Sequence, residues 1–221
     1  MNLKRHFAVL GAVVALVAMT GCATKNAPFD YTDYKASRPR SILVLPPVNN
    51  SPEVQATYSM LSYATLPLAE AGYYVLPVTL VAEAFKENGM TQPTDMHATS
   101  ADKLRQIFGA DAALYITISK YGTTYQVITS ATVVSAEAKL VDLKTGKLLW
   151  TGAATASSEE GQSQGQGSLA GLLISAIVKQ VMASALDQGH RIAGVTTARL
   201  LSPGRPNGML YGPRSPNYGK D

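Results

Sequence analysis

The chain has 221 residues, 46% of them hydrophobic and 15% charged. That balance excludes a disordered, coiled-coil or collagenous protein and fits one domain of ordinary size or two small ones. A single cysteine excludes an intramolecular disulfide framework and a multi-cysteine zinc site, and a formal charge of +4 points to nucleic acid only if the cations cluster.

Lys4, Arg5 and His6 precede an uncharged run from Phe7 to Met19. Thirteen residues are too few for a helix across a ~30 Å hydrocarbon core, which takes about 20, so the run reads as the apolar region of an export signal behind a basic one. Met19-Thr20-Gly21-Cys22 then resembles a bacterial lipobox, with Met19 where leucine is commoner. Small residues before the cut let the chain lie extended in a membrane peptidase, and the Cys22 thiolate is the nucleophile that a diacylglyceryl donor alkylates. Cleavage between Gly21 and Cys22 is expected to leave a thioether lipid and an acylated amine. One acyl chain, at about 0.8 kcal/mol per buried methylene, holds a protein only marginally, whereas three make a stable anchor. The resemblance also implies export to the outer membrane, because Ala23 stands where an aspartate signals inner-membrane retention. Without residues 1–21 the balance is 17 Lys+Arg against 15 Asp+Glu. No basic cluster interleaved with aromatics remains, so nucleic acid is not an expected partner.

Residues 22–39 are polar, carry Pro28 and Pro39 and show neither helical nor alternating periodicity. They read as a lipidated tether reaching at most ~55 Å at ~3.3 Å per residue, or as a segment that packs on the domain or the lipid interface through Phe29, Tyr31 and Tyr34. A single domain is expected over 40–201. Ile42 to Leu45, stopped by Pro46-Pro47, predicts a strand buried on both faces. Asn49 to Pro52 predicts a turn and helix start, with Val54, Tyr58, Leu61, Ala64 and Leu68 inward, a kink or restart at Pro67 and an end at Gly72. Tyr73 to Leu76 is a second strand. Thr79 is placed to cap a helix with Val81, Ala84 and Phe85 inward and Gly89 as terminator. A polar loop carries His97 to Thr99-Ser100, which cap a helix with Leu104, Ile107 and Phe108 inward, closed by Gly109.

From Asp111 the period becomes 2. Leu114, Ile116 and Ile118 alternate with Tyr115, Thr117 and Ser119, and Val134, Ala136, Ala138 and Leu140 with Ser135, Glu137 and Lys139. Asp142 to Gly146 predicts a tight turn returning through Lys147 to Gly152. Gly161 to Gly167 reads as a flexible link to an apolar helix over 168–188, which covers the sheet or forms an oligomer interface through Ile174, Val178 and Met182. Residues 202–221 hold four prolines and four glycines and predict no core element. They form either a disordered tail or an arm docked through Met209, Leu210, Tyr211 and Tyr218.

Chemistry is sparse. After signal removal the histidines are His97 and His190, expected to be solvated or capping, and no H-E-x-x-H, G-x-S-x-G or complete phosphate-binding loop appears. Gly165-x-Gly167-x-x-Ala170 fits a dinucleotide fingerprint only by letter, since it follows a polar loop and Asp187 lies at a helix end. Glu159-Glu160 reads as a solvated loop. The expectation is a non-enzyme with no catalytic, metal or cofactor-binding residue, no cofactor, and Gly21 and Cys22 as the processing site.

In RSILVLPPVN (40–49), LAEAGYYVLP (68–77), GADAALYITIS (109–119) and DLKTGKLLW (142–150) the chain resembles bacterial outer-membrane lipoproteins of unknown function. More distantly it is similar to the curli secretion lipoprotein CsgG and the N-terminal domain of TolB. The resemblance implies an α+β fold, a mixed αβ sandwich with a mixed sheet, an antiparallel meander and helices packed on it. It also implies possible homo-oligomerisation, and it supplies no catalytic residue. No alternating pair of strands suited to a transmembrane hairpin is evident, which argues against pore formation. The expected function is a periplasm-facing scaffold or accessory subunit of an envelope export or assembly complex. Its partners would be outer-membrane lipid through acylated Cys22, further copies of itself as a homodimer or higher homo-oligomer, and other envelope lipoproteins. The alternative is a small-molecule or glycan-binding lipoprotein using exposed Tyr121 and Tyr125.

Overall fold

The computed structural model describes residues 29–125, 130–160 and 188–220. In chain order these form α1 (Thr32–Ser37), β1 (Ser41–Val44), β2 (Val48–Asn49), α2 (Ala56–Glu70), β3 (Tyr74–Val75), α3 (Val78–Glu87), α4 (Pro93–His97), α5 (Ala101–Phe108), β4 (Ala112–Tyr125), β5 (Ser130–Asp142), β6 (Leu148–Ser157) and α6 (Gln188–Leu201). The helix expected over 168–188 and the Gly165 fingerprint lie outside the described residues, apart from Gln188.

The sheet order is β3-β1-β4-β5-β6. β1 runs parallel to β3 and β4, β2 also pairs with β4 in parallel, and β4, β5 and β6 form the expected antiparallel meander. β1 and β2 are one strand interrupted. Pro46 and Pro47 bring no N–H to the ladder, and Val48 resumes pairing with β4 at Thr117 after Val44 has left it at Leu114. The fold is therefore α+β, an open mixed sheet with helices on it.

Two cores lie against opposite faces of β1 and the first half of β4. Ile42, Val44, Leu114, Ile116 and Ile118 pack with α2, α6 and α1. Leu43, Leu45, Ala113 and Tyr115 pack with Val81 and Phe85 of α3, Met96 of α4 and Leu104 of α5. Tyr115 is thus buried beneath these helices, while Ser119, Glu137 and Lys139 further along the same face are exposed.

Several local expectations shift. α2 begins at Ala56 rather than Pro52, because Asn49 spends its side chain on a turn: Oδ1 accepts from Ser51 N and Oγ, and Nδ2 donates to Glu53 O. The helix buries Ala56, Met60, Leu61, Ala64 and Leu68 and leaves Val54 and Tyr58 outside; Pro67 is accommodated within its last turn. His97 ends a short helix instead of riding in a loop. Ala84 and Phe108 are only half-buried and Ile107 is exposed. Gly72, Gly89, Gly109 and Gly146 do take positive φ, Ser100 caps α5 by accepting from Lys103 N, and Asp142 Oδ1 accepts from Lys144 N and Thr145 N in the tight turn.

Candidate functional site

The two sequence flanks that read as a tether and a Pro/Gly arm meet on the α2/α6 side of the sheet. Phe29 N donates to Asn207 Oδ1 at 2.9 Å, Tyr31 OH to Gly208 O at 2.5 Å and Trp150 Nε1 to Asn207 O at 2.9 Å. At the other end of the arm, Gly212 N donates to Ala71 O at 2.8 Å and Arg214 N to Gly72 O at 3.1 Å. This approach needs glycine. Gly72 has φ +97°, and a Cβ there would stand 2.4 Å from Ser215 N, closer than unbonded atoms tolerate.

Between these ends Met209 and Leu210 enter the core, although the Pro/Gly content predicts no core element there. Tyr34 OH lies 2.8 Å from Tyr73 OH, and Tyr73 OH lies 2.7 Å from Leu210 O. A carbonyl oxygen only accepts, so Tyr73 donates to Leu210 and accepts from Tyr34. The relay joins α1, the residue before β3 and the arm. α1 is further held by the Lys147–Asp33 pair at 2.6 Å and by Ser37 Oγ donating to Asp142. Burial works to raise the Asp142 carboxyl, but hydrogen bonds from Ser37, Thr145 and Lys144 outweigh it and hold the group below its ordinary value.

Both histidines are half-buried and have structural partners. His97 Nε2 donates to Pro46 O at 2.9 Å, and its ring meets Tyr115 edge-on with centroids 5.2 Å apart. Burial pushes the imidazole below its ordinary pKa; the Pro46 carbonyl opposes the shift, and the Lys139 charge adds to it. His190 stands inside α6 rather than after a helix end. Its Nδ1 is 2.6 Å from Ser59 Oγ, which also accepts from Tyr121 OH at 2.9 Å, and its ring stacks on Tyr63 at 4.6 Å. The Ser59 oxygen is buried and joined to two side chains, an arrangement that pins α2, α6 and β4 together.

Tyr121 is 5% exposed, which overturns its expected use as an open binding surface. The cause is a β-bulge between Ile118 and Lys120: one extra residue reverses the in/out alternation, so Tyr121 turns inward. The Tyr125 side chain, Gly21 and Cys22 lie outside the described residues. Glu160 is held by Arg199 at 2.5 Å and accepts from Ser157 N, so it is not simply a solvated loop carboxylate. Among the described residues no group of three His, Cys, Asp or Glu side chains is placed to hold a metal, and no helix is long and apolar enough to cross a membrane.

The outer side of α2 is the conspicuous surface. Tyr58 and Leu66 are 71% and 63% exposed, exposed Ser62 lies midway between them, and Val54, 88% exposed, stands in the turn just before the helix. Residues at this spacing share a helix side. Periodicity placed Leu61, Ala64 and Leu68 on the inward side as found, and misplaced Val54 and Tyr58, which face out.

A family profile described as "Putative lipoprotein GNA1162-like" matches residues 29–214. "Putative lipoprotein NMB1124/NMB1162" of Neisseria meningitidis serogroup B (strain MC58) is 48% identical over 207 residues, 93% of this chain and 95% of the relative. The crystal structure of lipoprotein GNA1162 from Neisseria meningitidis is similar at 52% identity with a TM-score of 0.54, covering 66% of this chain and 100% of that one.

Proposed function

From the premise that the chain belongs to the GNA1162-like lipoprotein family, we propose that it is a non-catalytic accessory or scaffold subunit of an envelope export or assembly complex. Acylated Cys22 holds it to the outer membrane, and the domain faces the periplasm. The observation that carries this reading is the exposed row Val54, Tyr58 and Leu66. Large apolar side chains exposed along one side of a helix mark places where another protein sits. The structural engagement of His97 and His190 supports a role in binding rather than in proton transfer. α1 begins ten residues after Cys22, which keeps the start of the folded domain within ~33 Å of the anchor at ~3.3 Å per residue.

The test is site-specific photocrosslinking in intact envelopes from Tyr58 and Leu66, with exposed Lys86 on α3 as the control position. Adducts to a second copy or to a defined envelope protein are expected from the first two positions and not from the third. Monomer alone at both α2 positions would remove the basis of the reading.

A further inference from the structure

A cavity of about 380 Å³ opens beside the tyrosine relay, lined by Tyr34, Lys35 and Arg38 of the N-terminal flank, by Tyr73, and by Tyr211 and Tyr218 of the arm. Its buried base is rigid, because Tyr34 and Tyr73 are fixed by the chain of hydrogen bonds ending at Leu210 O. The rim is open, with Tyr218 exposed.

Its charge is one-sided. Neither Lys35 nor Arg38 forms an ion pair among the described residues. The acids near them are engaged elsewhere: Asp30 accepts from Thr32 N and Oγ1, Asp33 pairs with Lys147, and Asp142 binds Ser37 and its own turn. Arg38 also occupies a costly place. It follows α1 in the left-handed region, φ 49° and ψ 55°, where glycine or asparagine is the usual residue and another side chain is strained. A guanidinium fork and an ammonium together match the oxygens of a phosphate. At the open rim Tyr218 offers a ring face and a hydroxyl to a hydroxylated carbon skeleton, and the volume falls in the range of small-ligand sites.

We propose that this cavity binds a phosphate-bearing polyol, a phosphoglycerol or phosphosugar group, with Lys35 and Arg38 on the phosphate and Tyr218 at the rim on the polyol. Lys35 follows Cys22 by thirteen residues, so the cavity lies within ~43 Å of the acyl anchor at ~3.3 Å per residue, in reach of a lipid headgroup as well as of a soluble phosphate ester. The inference goes beyond the accessory-subunit reading and stands without it, since it uses none of the α2 surface.

The experiment is calorimetric titration of the mature lipidated chain in uncharged detergent. The probes are sn-glycerol 1-phosphate, glycerol, dihexanoyl phosphatidylglycerol and dihexanoyl phosphatidylcholine, whose phosphate is offset by a choline cation. Binding of phosphatidylglycerol with glycerol phosphate at least tenfold weaker supports the site and assigns it to lipid; comparable binding of both supports the site and assigns it to soluble esters. In either case glycerol and phosphatidylcholine should bind at least tenfold more weakly, and affinity should fall as salt rises. Arg38→Gly removes the guanidinium while relaxing the backbone, so it should stay folded and lose about tenfold in affinity. Adding Lys35→Gln should abolish detectable binding, and Lys86→Gln should change nothing. Absence of binding to both phosphate probes, equal binding of the controls, or unchanged affinity in the Arg38→Gly, Lys35→Gln variant would each overturn the proposal.

Discussion

Removing one phenolic oxygen at Tyr73 should cost more than removing the one at Tyr34, although the two side chains are 4% and 2% exposed and touch each other. The direction of the relay sets the asymmetry. Tyr73 OH both accepts from Tyr34 and donates to Leu210 O. Tyr73→Phe therefore takes the acceptor from a buried hydroxyl and the donor from a buried carbonyl in one step. Each group deprived of its partner costs about 1–3 kcal/mol, so a total of about 2–6 kcal/mol is expected. Tyr34→Phe removes only the outer donor and leaves the Tyr73–Leu210 bond in place, for a cost of about 0.5–1.5 kcal/mol. The double substitution should exceed Tyr73→Phe alone by less than the Tyr34→Phe cost, because the pair interaction is already gone. Urea unfolding of a soluble Cys22→Ala chain lacking residues 1–21, followed by circular dichroism, measures all three. With a slope of about 2 kcal/mol/M, the single variants should differ in midpoint by roughly 0.25 M at the least and about 1.5 M at mid-range. Equal costs, or a larger cost at Tyr34, would refute the assigned direction of donation.

Gly72→Ala should destabilise by about 1–2 kcal/mol for the positive φ alone and push Ser215, with the arm that carries it, off residue 72. Limited trypsin treatment should then cut after Arg214 in the variant while the parent resists. Stability should be complete above about pH 6.5 and decline as pH falls through that value, because the unfolded chain protonates His97 while the folded chain, with its depressed pKa, does not. His97→Gln should flatten the urea-midpoint profile between pH 7.5 and 5. Cys22→Ala should move the protein from the membrane to the soluble fraction, and its continued sedimentation with the outer membrane would mean that lipid is not the sole anchor.

The parts legible in sequence were those fixed by near neighbours. The apolar run of β1, the meander alternation, the Asp142 turn and the Ser100 cap each depend on a few adjacent residues, and all formed where expected. The misread elements depend on long-range placement. The bulge at Ser119 has no local signature, yet it turned Tyr121 inward and removed the surface assigned to it. α6 hides its helical character behind Thr196 and Thr197. Both threonines are buried, and their hydroxyls donate to the carbonyls of Ile192 and Ala193, a helical satisfaction that periodicity does not score. For the cavity, the flanking aromatics were visible as groups able to pack. That Tyr34, Tyr73 and Leu210 would meet was not visible, because their contacts join residues 39 and 137 positions apart.

The docking of the N-terminal flank also sets a load path. With the proposed lipid on Cys22, a pull on it would reach the described residues first at Phe29 and Tyr31, through two hydrogen bonds to the arm, and not at the sheet. Contacts loaded one after another at a free end peel in sequence instead of shearing together. With Phe29 seated, the slack between anchor and domain is at most ~23 Å; peeled back to Pro39 it becomes ~56 Å, at ~3.3 Å per residue. The flank thus works as a two-length leash, and the contacts that seat it determine how far from the bilayer the α2 surface can stand.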